Sequence, residues 1–152
     1  MIKKCFSVSA LLEMTFLAAH AQAGANFTGV WKLNLAKSEY GPVPQPDAMT
    51  RTINHNDPSL QISTYTKGAA GEVTTELKYT TDGKPAENKG SKGSAKWDGD
   101  KLVVDSVRDY QGAELKLHDV WTLSPDGKTL TISSHLTVPQ GEVDLTQTFE
   151  KL

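Results

Sequence analysis

The stretch AELKLHDVWTLSPDGKTLTISSHLTV, residues 113–138, alternates apolar and polar side chains on both sides of a turn. The apolar residues of one parity are Leu115, Leu117, Trp121 and Leu123 before the turn and Leu130, Ile132 and Leu136 after it. Successive side chains of a strand point to opposite faces, so this period of two predicts strands with one buried and one wet face. Between them, Pro125-Asp126-Gly127 is typical of a tight turn, which makes the stretch an antiparallel hairpin.

The same pattern recurs through most of the chain and predicts one kind of element throughout. Predicted strands lie near residues 27–35, 49–56, 59–67, 72–80, 86–97 in one or two pieces, 101–110, 113–123, 128–137 and 142–150. Their connections are hairpin-short, so successive strands pair as an antiparallel up-and-down meander. Eight to ten such strands bury their apolar face by closing into a barrel, whereas a sandwich needs longer crossovers. The first strand is therefore expected to pair with the last.

Residues 101–110 depart from clean alternation because apolar side chains occur on both parities. This pattern indicates either a bulge or a strand covered on both faces.

The first predicted strand, FTGVWKLN at residues 27–34, sets Gly29 two positions before Trp31. Glycine weakens a strand but suits a sharp bend or the close approach of another strand. We expect Gly29 to serve that structural purpose and Trp31 to fill one end of the barrel.

The N-terminus has the composition of a secretory signal peptide. Basic residues at Lys3 and Lys4 precede a short apolar run, and Ala21-Gln22-Ala23 forms a small-x-small cleavage site. The expected domain organisation is a cleaved signal peptide at 1–23 and one barrel domain at 24–152, located in the periplasm or secreted. The only cysteine, Cys5, falls in the removed segment, so the mature domain relies on its core and not on disulfides.

Composition narrows the partners of the mature chain. The full chain has 16 Lys and Arg against 18 Asp and Glu, for a net charge of −2; removal of Lys3, Lys4 and Glu13 with the signal peptide gives −2 − (+2 − 1) = −3, and the basic residues are interspersed. This mild acidity disfavours nucleic acid and anionic membrane surfaces. No later apolar run is long enough to cross a membrane, and a monomer is expected.

Several short motifs resemble the calycin superfamily of lipocalins and fatty-acid-binding proteins. Gly29-x-Trp31 on a first strand is similar to the lipocalins. Three other segments resemble the last hairpins of intracellular lipid-binding proteins. They are Lys101-Leu102-Val103, the run from Ser124 to Leu130, and the closing Thr148-Phe149-Glu150-Lys151. Those proteins insert a helix pair after the first strand and end in Arg-x-Tyr. Here residues 37–48 hold three prolines, and Gln147-Thr148-Phe149 stands at the end. A bacterial exported lipocalin-like domain is the nearer resemblance.

Asp119 is the residue that most invites a functional interpretation, because it interrupts an apolar parity and should point inward. A buried carboxylate needs partners, for which Arg108, Tyr79 and Gln147 are candidates. One interpretation is a structural ion pair or a position at the rim. The other makes Asp119, Gln147 and Tyr79 the polar contacts of a ligand cavity that Trp121 and Phe149 line. Tyr40 would hold the proline-rich segment 37–48 over one barrel opening.

Three functions follow from these observations. The first is an exported barrel that holds a small apolar or amphipathic ligand. The second is a small isomerase or lyase with Asp119 as base. The third is a solidly packed accessory or partner-binding domain. We predict no catalytic set, no cofactor and no metal, because the sequence lacks nucleophile and phosphate-loop motifs. His55, His118 and His135 are expected on the surface, and Trp97 is expected at a partly exposed turn.

Overall fold

A computed structural model, which describes residues 24–152, shows ten antiparallel strands in one sheet. The strands are β1 (Gly29–Leu33), β2 (Ala48–Asn56), β3 (Ser59–Gly68), β4 (Gly71–Thr80), β5 (Ala86–Asn88), β6 (Ser91–Asp98), β7 (Lys101–Tyr110), β8 (Ala113–Leu123), β9 (Thr129–Val138) and β10 (Gly141–Lys151). A single 3-10 turn, Leu35–Lys37, follows β1. The predicted signal peptide lies outside the described residues. No helix in the described part is long and apolar enough to cross a membrane.

The strand order confirms the predicted meander. Neighbours in sequence are neighbours in the sheet, and β1 joins β10, with Trp31 opposite Lys151 and Leu33 opposite Phe149. The chain therefore curls round so that its two ends pair. The apolar parity read from β8 and β9 is the inward one, because Trp121 pairs with Ile132 and both are buried.

The barrel is nearly closed, and its seam lies between β4 and β5. No backbone ladder joins these two strands among the described residues. Instead, the Asn88 side chain bonds both backbone groups of Lys78: the Lys78 amide donates to Oδ1 at 2.8 Å, and Nδ2 donates to the Lys78 carbonyl at 3.2 Å. One asparagine thus replaces a strand pair at this point of the wall.

Gly29 and Trp31 have the structural setting expected of them. Gly29 has a φ of +151°, which side-chain-bearing residues rarely adopt, and a Cβ there would lie 2.7 Å from Cε of Lys151. That lysine tip could move, so the backbone conformation is the stronger constraint. Trp31 is fully buried, and its indole N–H donates to the Phe27 carbonyl at 2.9 Å.

The strand β7 settles the ambiguity of residues 101–110. Its register with both neighbours is continuous, so there is no bulge. Val103, which faces outward, is nonetheless buried between the inward Leu102 and Val104. The strand is covered on both faces at its start.

The proline-rich segment 37–48 continues the wall along β10 beyond the end of β1. Glu39 and Thr146 exchange two backbone hydrogen bonds of 2.7 Å. Tyr40, the next residue, is buried. That the segment covers the opening to a ligand stays a prediction.

Candidate ligand-binding interior of the barrel

Several inward-facing side chains become exposed towards one end of the barrel, although Leu115 stays buried near that end. At the end formed by the turns β2–β3, β6–β7 and β8–β9, called the closed end below, Leu60 and Leu130 are fully buried. At the opposite end, the open end, Val73 and Tyr110 have the same inward parity yet are 58% and 61% exposed. The inward faces are therefore packed at the closed end and partly exposed to solvent at the open end.

Aromatic side chains seal the closed end. Phe27 stacks on His55 and Trp97, with ring centres 5.7 and 5.9 Å apart, and meets Trp121 edge-on at 5.6 Å. Trp97 is half-buried here, and its indole N–H donates to Asp57 at 3.2 Å. These contacts make the closed end a floor of packed rings.

The prediction that His55 lies on the surface is wrong. His55 has the inward parity of β2 and is only 5% exposed. Its Nδ1 accepts the Phe27 amide at 3.2 Å, so Nε2 carries the proton that faces Asp57 at 2.7 Å. Both ring nitrogens are satisfied, which makes His55 a structural group of the floor.

Above the floor lies an interior cation that the sequence reading overlooked. Arg51 has the inward parity of β2, and its guanidinium carbon sits 5.1 Å from the Phe149 ring centre and 5.7 Å from that of Trp121. Burial lowers the pKa of Arg51, and the charge of Asp119 opposes this shift. An arginine stays charged under such conditions. The strand's parity is the signal that could have located it, since Ile53 two residues on is apolar.

Asp119 points inward, as its parity predicts. Burial raises the pKa of the Asp119 carboxyl, and the Ser134 hydroxyl and the Arg51 charge partly offset that rise. Its Oδ1 is buried and has no hydrogen-bond partner. Among the described residues, Asp119 forms no ion pair within 4.0 Å, so Arg51 acts on it only at longer range. Arg108, the partner considered from sequence, is exposed towards the open end, and its charge makes a smaller contribution than that of Arg51 to lowering the pKa of Asp119.

The remaining predicted contact residues lie either near Arg51 and Asp119 or near the aromatic floor. Gln147 is buried, and its Nε2 donates to the Tyr40 hydroxyl at 2.7 Å and approaches Sδ of Met49 at 3.8 Å. Burial raises the pKa of Tyr40, which stays a neutral phenol. Tyr79 is buried near the floor, and burial raises its pKa as well. Trp121 and Phe149 lie beneath Arg51.

We call the interior group of Arg51, Asp119, Tyr40 and Gln147 the polar belt. Its members come from β2, β8, β10 and the segment after β1, whose inward faces meet in one interior because the sheet curls into a barrel. Leucines at 117, 136 and 145 on the same inward faces are half-buried. The interior therefore offers apolar walls, a buried arginine and a buried aspartate that are not in contact, and exposed inward-facing side chains at one end.

Two surface grooves lie away from this interior. One, of about 540 Å³, runs between the tips of the β5–β6 and β7–β8 hairpins, with Ser91 and Arg108 on its sides. The other, of about 510 Å³, lies along the outer wall and contains His118 and His135. Each of these histidines has Nδ1 2.6 Å from a carboxylate, of Asp105 and Asp144 respectively. Within residues 24–152, no three His, Cys, Asp or Glu side chains lie close enough together to hold a metal ion.

No protein-family model matches this chain, and no curated protein matches it by sequence. Its fold is similar to that of solved β-barrel proteins. The fluorescent protein UnaG aligns with a TM-score of 0.59 and 18% identity, over 83% of this chain and 97% of UnaG. Zebrafish ileal bile acid-binding protein, complexed with cholic acid, aligns with a TM-score of 0.60 and 20% identity, over 83% and 98% of the two chains.

A third similar structure is a secretory abundant heat soluble protein from Ramazzottius varieornatus. It aligns with a TM-score of 0.57 and 11% identity, over 85% of this chain and 97% of that protein. At these identities the three structures show that the fold is shared.

Proposed function

We propose that the protein binds a small amphipathic molecule inside the barrel, which the molecule enters from the open end. The observation that carries this proposal is the exposure gradient of the inward faces. Val73 and Tyr110 share the parity of the buried core yet stay exposed, so inward-facing side chains meet solvent at that end. A solidly packed barrel would bury both ends alike.

The chemistry of the walls supports an amphipathic ligand. Leucines line the upper interior, and the polar belt lies below them, above the aromatic floor. Pockets for small molecules are mostly apolar, with a few polar groups that fix orientation. The similar zebrafish bile acid-binding protein was crystallised in complex with cholic acid, so a protein of this fold can bind an amphipathic molecule.

The proposal is tested by blocking the interior. Leu136→Trp places an indole inside the barrel, and we expect it to weaken binding of the neutral dye Nile red by about tenfold or more. Ser133→Trp, on the outer face of the same strand, is the matched control and should leave binding unchanged. Native mass spectrometry of the unmodified protein should also detect a co-purified small molecule. Equal dye binding by both variants would contradict an interior site.

We further propose that the mature domain, residues 24–152, is of the bacterial exported lipocalin-like type and acts in the periplasm or medium. The basic, apolar and small-residue segments at 1–23 support export. N-terminal sequencing of protein expressed from the full gene should begin at Gly24. Mature protein that begins at Met1 would overturn this part.

A further inference from the structure

Three buried polar atoms near the polar belt lack any hydrogen-bond partner. They are Nε of Arg51, Nε1 of Trp121 and Oδ1 of Asp119. The first two are donors and the third is an acceptor. A buried polar group without a partner is costly, so native proteins rarely leave three in one region.

The fold brings these three groups into one region of the interior. Asp119 and Trp121 are two residues apart on the inward face of β8. The Arg51 guanidinium carbon lies 5.7 Å from the Trp121 ring centre, and its charge acts on Asp119. Yet Arg51 and Asp119 are not paired within 4.0 Å. Two donors and one acceptor thus lie in the same part of the interior, and no described side chain satisfies them.

Resting on the proposed function, we infer that the ligand's head group is a neutral amide or a group with the same hydrogen-bonding pattern. An amide oxygen has two lone pairs, which match Arg51 and Trp121, and its N–H matches Asp119. A carboxylate satisfies both donors but has no N–H to donate to Oδ1 of Asp119, and it meets a second negative charge when that carboxyl is ionised. An ammonium group satisfies Asp119 but meets the Arg51 charge. Only the neutral head group satisfies all three atoms without like charges meeting.

The inference is tested with three ligands of one chain length: decanamide, decanoate and decylamine. Their affinities are measured at pH 7 by displacement of Nile red from the unmodified protein. We expect decanamide to bind at least about tenfold more tightly than either charged ligand.

Two variants localise the effect. Asp119→Asn keeps the shape of the side chain and removes its ionisable carboxyl. The affinity for decanoate should therefore rise relative to that for decanamide, so that the tenfold preference is lost. Asp105→Asn, on the outer face of the neighbouring strand β7, is the matched control and should keep the preference. Circular dichroism verifies that each variant is folded.

The outcomes separate this inference from the proposed function. Tighter binding of decanoate or decylamine than of decanamide overturns the amide inference and leaves an interior ligand site in place. Failure of all three ligands to displace the dye, together with equal dye binding by Leu136→Trp and Ser133→Trp, overturns the proposed function itself. The comparison among the three ligands decides the inference without any variant.

Discussion

At the scale of single residues, the barrel shifts the pKa values of two aspartate carboxyls in opposite directions. Burial works against the charge of Asp57, but hydrogen bonds from His55, Thr81 and Trp97 outweigh it and lower the pKa of that carboxyl. Burial raises the pKa of Asp119, where the neighbouring hydroxyl and positive charges do not compensate. Asp57 is thus hydrogen-bonded within the floor, whereas Oδ1 of Asp119 has no hydrogen-bond partner.

This contrast predicts opposite pH dependences of stability. Because folding raises the pKa of Asp119 above its ordinary value of 3.8, the folded state binds that proton more tightly. Relative to Asp119→Asn, the unmodified protein should therefore lose stability as pH rises from about 3.8 through the folded pKa. Below that range, where the carboxyl is protonated in both states, the difference should level off. Urea unfolding at pH 3 to 8 measures it.

Asp57 provides the control, with the reverse sign. Its folded pKa lies below the ordinary 3.8, so it stabilises the fold above that value and the contribution is lost as pH falls through the folded pKa. The Asp57 side chain is 49% exposed, so solvent screening keeps this effect small. The same slope for both Asn variants would contradict the two environments described here.

At the scale of elements, the seam between β4 and β5 is the weak point of the wall. Asn88→Ala removes both hydrogen bonds to Lys78, and we expect a loss of about 1 kcal/mol in the free energy of unfolding. Hydrogen exchange of the Lys78 amide should accelerate, because its acceptor is gone. Asn54→Ala, on the outward face of β2, is the control. A Lys78 amide that exchanges at its original rate would show that the seam closes by other means.

The strands themselves could be predicted from sequence because alternation and turn chemistry are local properties. The inward parity of β8 and β9, and the presence of Asp119 on it, followed from residues 113–138 alone. The burial of β4 did not follow, since Val73 and Tyr79 share a parity but lie at opposite ends of the barrel. Depth along the axis depends on how ten strands stagger, which no single strand encodes.

Arg51 shows the same limit at the site. Its strand contains few apolar residues, so its parity was weakly marked, and the rings beneath it come from β8 and β10. His55 was misplaced for this reason too. A polar residue on an inward face is recognised from sequence only where apolar neighbours outline that face, as they do around Asp119.

At the scale of the whole molecule, the two ends of the barrel have different tasks. The closed end concentrates the large aromatic side chains and the satisfied His55–Asp57 pair, so it holds the fold together. The open end leaves apolar side chains such as Val73 in solvent, which costs stability, and it is where the proposed ligand would enter. The polar belt lies between these two regions. The packed closed end holds its strands in place, and the proposed ligand would reach it from the open end.

This division predicts how far the N-terminus can be shortened. A chain that begins at Gly24, the expected processed form, keeps Phe27, which is fully buried among His55, Trp97 and Trp121, and serves as the reference. A chain that begins at Thr28 lacks that ring and the amide that donates to His55. We expect it to lose about 3–5 kcal/mol, the usual effect of removing a large buried aromatic side chain. Phe27→Ala in the longer chain separates the loss of the ring from the loss of the backbone. Equal thermal midpoints for the chains beginning at residues 24 and 28 would show that the floor is complete without Phe27.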